Sequence, residues 1–66
     1  METVYDVRQL LKKFGIFIYI GERLGDLELM ELEITQLYQV NCISTVDYNK
    51  AIFILRKEAR RIRSEE

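Results

Sequence analysis

Sixty-six residues, 48% of them hydrophobic and 32% charged, suffice for one small folded domain and exclude a second, so residues 1–66 are expected to form a single unit. One cysteine and no histidine exclude a disulfide framework, a zinc ligand set and the commonest general base near neutral pH. The net charge of −1 points by itself to no class of partner.

The first helical pattern runs from about Thr3 to Lys13. Thr3 is a candidate N-cap with Asp6 three residues on, where the helix dipole favours an acid. Val4, Val7, Leu10, Leu11 and Phe14 recur at the three-and-four spacing of one buried face. Gly15 supplies the left-handed residue a helix end often uses.

The next stretch, Gly15-Ile16-Phe17-Ile18-Tyr19-Ile20-Gly21, combines β-branched and aromatic residues between glycines, as a strand does. No second strand candidate exists to pair with it. Three readings fit: an apolar crossover packed over the helices, a helical turn leading into the next helix, or pairing with its twin in a dimer. At five residues, the run Ile16–Ile20 is far short of the roughly 20 that a membrane span needs.

A second helix is expected from Asp26, as N-cap after Gly25, to near Gln39. Its apolar stripe is Leu27, Met30, Ile34, Leu37 and Tyr38, and Glu28 and Glu31 sit near its favourable N-terminal end. Val40-Asn41-Cys42-Ile43 breaks the pattern and reads as a short connection, with Cys42 expected buried and inert beside Ile43. A third helix follows Ser44 or Thr45 and runs to about Arg63, its inner face being Tyr48, Ala51, Ile52, Leu55, Ala59 and Ile62. The fold class is therefore all-α: a compact three-helix fold with an apolar connector between the first two helices.

Tyr5-Asp6-Val7-Arg8-Gln9-Leu10-Leu11-Lys12, Phe17-Ile18-Tyr19, Arg23-Leu24-Gly25-Asp26-Leu27-Glu28-Leu29-Met30, and Glu31 with Leu37-Tyr38 together resemble the YqgQ-like family of small bacterial cytosolic proteins. The resemblance covers most of residues 4–38 and thins afterwards to Ala51, Phe53, Leu55 and Arg56. It implies a compact three-helix fold, in agreement with the periodicity above. The family's function is not established, and binding of single-stranded nucleic acid has been proposed for it.

The charge distribution is uneven. Glu22 to Glu33 holds five acids and one base, and Lys50 to Arg63 holds six bases and one acid. Adjacent helices of opposite charge can simply complement each other, or the asymmetry can mark a charged partner. On a helical wheel Arg56, Arg60 and Arg63 share one side of the third helix, and Lys50, Lys57 and Arg61 extend that arc. Phe53 points into it, with Lys50, Arg56 and Lys57 as neighbours three or four positions away. An aromatic ringed by cations suits a single strand, whose bases stack on the ring while the cations hold phosphates. Tyr5, Arg8 and Lys12 repeat the pattern on the first helix. Phe53 and Ile54 could equally pack against Ile16 to Ile20 as core.

Catalysis is not expected. The glycines at 15, 21 and 25 lack the Gly-Lys-Ser/Thr ending of a phosphate loop, and so small a chain leaves little room for an enclosed pocket. No cofactor and no metal are expected, and a solvated acidic face is the better reading of Glu28 and Glu31. With no basic leader followed by an apolar core, the chain is expected to be a soluble cytoplasmic protein with no membrane role. It is read as non-enzymatic, binding single-stranded RNA or DNA with low sequence specificity through Tyr5, Arg8, Lys12, Lys50, Phe53, Arg56, Lys57 and Arg60. The alternative is a protein-interaction module or homodimer that uses exposed apolar residues such as Leu29, Leu32 and parts of the connector.

Overall fold

The computed structural model describes residues 1–65 as three helices: α1 (Val4–Lys12), α2 (Arg23–Gln39) and α3 (Thr45–Glu65). The all-α three-helix architecture follows the apolar periodicity, and the local stop and start signals act much as their residue types dictate. Thr3 caps α1 through a reciprocal box. Its hydroxyl accepts the Asp6 N–H at 3.3 Å, and the Asp6 carboxylate accepts the N–H groups of Thr3 and Glu2 at 3.1 and 2.9 Å. These two backbone bonds, that of Glu2 foremost, hold the Asp6 carboxyl below its ordinary pKa. Gly15 closes the helix at φ +75°, a conformation that a β-carbon would strain. Ser44 caps α3 by accepting the Asp47 N–H at 3.1 Å, and α3 continues two residues beyond its expected end at Arg63.

α2 departs from expectation. It begins at Arg23, not Asp26, with Glu22 as the cap accepting the N–H groups of Leu24 and Gly25. Gly25, which resembles a helix breaker in sequence, lies inside the first turn because the turn is crowded there. A β-carbon at this position would lie 2.6 Å from Ile20 Cδ1 and 2.8 Å from Glu22 Oε2. Asp26 is thereby moved from the cap into the helix, where it is only 4% exposed.

The pairings Tyr38 with Tyr48, Glu31 with Arg56 and Glu28 with Arg63 show α2 and α3 running antiparallel. They are joined by the Val40–Ser44 connection, in which Asn41 takes φ +61°. That turn directs the Cys42 N–H onto Leu37 C=O at 2.8 Å and seats Ile43 in the core. Cys42 itself is exposed, which corrects the expectation that it is buried: of two adjacent residues in the turn, only one side chain faces inward. At the same end of the hairpin, the rings of Tyr38 and Tyr48 stack at 4.2 Å.

α1 packs across both long helices, and the core is Val7, Leu11, Leu27, Met30, Ile34, Ile43, Ala51, Ile52, Leu55 and Ala59. Val4, Leu10, Leu37, Tyr38, Tyr48 and Ile62 flank it as half-buried residues. Phe14, expected on the buried face, is exposed, because α1 ends at Lys12 and the closing turn rotates Phe14 off the stripe. The connector forms no helical turn. It crosses the helices with Ile16 and Ile18 packed against the core, the first of the three readings. No helix among the described residues is long and apolar enough to cross a membrane.

Candidate nucleic-acid interface

Phe53 stands on α3 between the core positions Ile52 and Leu55, yet its ring turns outward and is 61% exposed. It is therefore not part of the core. α1 brings Tyr5, 67% exposed, to the same open groove of about 520 Å³, whose walls also include Val4, Ile54 and Lys57. Two aromatic rings from different helices thus share one depression with a cation between apolar walls.

The groove's charged lining is Glu2 and Glu58 against Arg23, Lys57 and Arg61, which sums to one positive charge. Glu58 is well occupied. Arg61 donates to it at 2.8 and 2.7 Å and Arg23 at 2.8 Å, and these bonds, Arg61's first, hold its carboxyl at about 2. Arg61 also pairs with Glu65 at 2.7 Å. Lys57 makes no ion pair among the described residues, so its ammonium remains available to an anion.

The remaining candidates do not join this groove. Arg8, expected on the outer face of α1 beside Tyr5, instead donates to Ile18 C=O at 2.7 Å and to the Asp26 carboxylate at 3.5 Å. It ties α1 to the connector and to α2, which takes it away from phosphate. Lys12 lies at a second groove of about 380 Å³, with Arg8, Phe17, Ile18 and Tyr19. Arg56 and Arg60 line a third, with Glu28, Glu31 and Arg63. There Arg56 donates to Glu31 at 2.8 and 3.1 Å, and that bond raises the guanidinium pKa further. Lys50 and Arg60 are exposed and lack an ion pair among the described residues.

The eight candidates thus divide. Tyr5, Phe53 and Lys57 converge; Lys50 and Arg60 are free cations elsewhere on α3; Arg8 and Arg56 are committed to carboxylates; Lys12 faces another side. The sequence asymmetry between an acidic α2 and a basic α3 is partly consumed internally, through Glu31–Arg56 at 2.8 Å, Glu28–Arg63 at 3.6 Å and Arg23–Glu58 at 2.8 Å. Sequence reasoning did not identify Arg23 and Arg61 as walls of the Phe53 groove, nor Asp26 as the buried partner of Arg8. The one available signal for Asp26 was an acid immediately ahead of an apolar Leu27-x-x-Met30 stripe, the same pattern that suggests a cap. No group of three or more Cys, Asp or Glu residues among those described converges as a metal site would require.

The YqgQ-like family model matches residues 1–61. The chain is also 43% identical over 58 residues to "Uncharacterized protein YqgQ" of Bacillus subtilis (strain 168), a match covering 88% of this chain and 82% of that protein. An alignment running through all three helices at that identity, together with the family match, establishes that the chain belongs to the YqgQ-like family.

Proposed function

We propose that this chain is a non-catalytic protein that binds single-stranded nucleic acid weakly and with little sequence preference. Its platform is the groove where Tyr5 and Phe53 stand exposed beside Lys57, and that juxtaposition carries the reading. Bases stack on aromatic faces regardless of identity, so two rings in one depression accept adjacent bases of any sequence. Lys57 holds the phosphate between them, while Lys50 and Arg60 extend the cationic track along α3. With a net charge of −1 and only a few unpaired cations, affinity is expected to be micromolar or weaker and to fall steeply with salt.

Fluorescence anisotropy of short labelled DNA and RNA strands at about 50 and 200 mM salt tests this. Phe53→Ala is expected to lose about 1–3 kcal/mol of binding while leaving the melting temperature nearly unchanged, since the ring lies outside the core. Absence of binding at the lower salt, or a folded Phe53→Ala variant that binds as tightly as the parent, refutes the assignment.

A further inference from the structure

The connector uses only one side of its backbone. Ile16 N–H donates to Leu11 C=O at 3.1 Å, Ile18 C=O accepts from Arg8 at 2.7 Å, and Ile20 N–H donates to Asp26 at 2.8 Å. Among the described residues, nothing pairs with the N–H or C=O of Phe17 or Tyr19. From Ile16 to Tyr19 the side chains keep the same rhythm: Ile16 and Ile18 pack inward, while Phe17 and Tyr19 are 73% and 85% exposed, and the rhythm ends at Ile20, which is 58% exposed. Period-two alternation in both backbone and side chains is the signature of a β-strand. Here one edge of the segment is bound to the protein and the other is open. Open edges are normally blunted by lysine, proline or a bulge, yet Phe14 to Gly21 contains no proline and no charged residue.

We propose that this edge is a self-association surface, on which two copies pair antiparallel about a two-fold axis at Ile18. In that register Phe17 lies opposite Tyr19 of the second copy. Directly opposed residues in an antiparallel ladder alternate between pairs that exchange both N–H···O bonds and pairs that exchange none. The free groups of Phe17 and Tyr19 fill the bonded positions, and Ile18, whose carbonyl Arg8 already holds, falls at the non-bonded one. Each aromatic meets the other across the strands, and the two-fold axis repeats the pair. A second copy fits better than a charged ligand. The edge is uncharged and self-complementary; of the two cations that line the groove beside it, Arg8 is committed to Asp26 and Lys12 belongs to α1, not to the edge. The contact is far smaller than a standard interface, so the dimer is weak. It involves none of the residues around Phe53.

Sedimentation equilibrium of the full chain from about 10 μM to 1 mM is expected to show the mass rising with concentration from 7.9 kDa toward twice that value. Over the same range, amide exchange at Phe17 and Tyr19 slows, whereas that at Asn41 does not. Phe17→Lys and Tyr19→Lys each weaken association at least about ten-fold, with circular dichroism verifying that the helices persist. A protein that stays monomeric throughout overturns the proposal. So does a dimer that forms without concentration-dependent protection of those two amides, a readout on the parent chain that stands even if a lysine variant unfolds.

Discussion

Replacing Arg8 with alanine tests the tie between α1, the connector and α2. In the folded chain its guanidinium bonds Ile18 C=O at 2.7 Å and approaches Asp26 at 3.5 Å, while Asp26 also accepts Ile20 N–H at 2.8 Å. Removing it leaves a carboxylate that is 4% exposed without its cation, and a carbonyl without its donor. Breaking a fully buried pair costs about 3–5 kcal/mol. Here the Arg8 side chain keeps 33% exposure and the ion pair is long, so water can partly replace it. The expected loss is therefore nearer that of hydrogen bonds to charged groups, about 1.5–3 kcal/mol. For a chain of this length that lowers the melting temperature by about 10–20 °C, measured by circular dichroism. Asp26→Asn, which keeps an oxygen for Ile20 N–H but removes the charge, should cost less than Arg8→Ala. Amide exchange at Ile20 should quicken in both. If Arg8→Ala melts within a degree or two of the parent, Arg8 is a surface cation and its removal from the phosphate-binding set is wrong.

Leu55→Ala, at a fully buried site, should cost about 2–5 kcal/mol in urea unfolding, whereas Leu37→Ala, half-buried, should cost roughly half as much; equal costs would contradict the packing. The Glu58 carboxyl, held at about 2 against an ordinary 4.5 by Arg61 and Arg23, contributes stability that is present above pH 4.5 and lost as pH falls toward 2. Glu58→Gln should therefore flatten the acid limb of the stability curve in that window, and an unchanged limb would show that the ion pairs are not held in solution. Cys42 should react readily with a thiol reagent in the native protein, and Cys42→Ser should change stability by no more than about 0.5 kcal/mol; slow labelling would return it to the core.

The parts of the fold legible in sequence are those governed by near neighbours. Thr3 with Asp6 and Ser44 with Asp47 cap their helices because the donor and acceptor lie three residues apart. Val7, Leu11, Met30, Ile34, Ala51 and Leu55 are buried because helical spacing places them on one face. Gly15 turns the chain because only glycine is unstrained there. The wheel sets Phe53 off the core stripe by the same rule, but whether the connector covers its ring is open in the sequence and decided only by the docked helices, which leave it exposed.

What only the tertiary structure decided is which polar groups meet across elements. Asp26 has the local signature of an N-cap, but Arg8 and Ile20 N–H draw it inside the molecule while Glu22 takes the cap. Arg56 belongs to a cationic arc by spacing, but it is bonded to Glu31 from a helix 25 residues away. Cys42 and Ile43 are equivalent in sequence until Asn41 fixes the turn that turns one outward and the other inward. The sequence by itself determined three capped amphipathic helices, because hydrogen-bond reach and helical period act over a few residues. The composition of the Phe53 groove, the commitment of Arg8 and the open edge at Phe17 and Tyr19 depend on how those helices dock, because charge pairing and backbone satisfaction are settled between residues far apart in the chain.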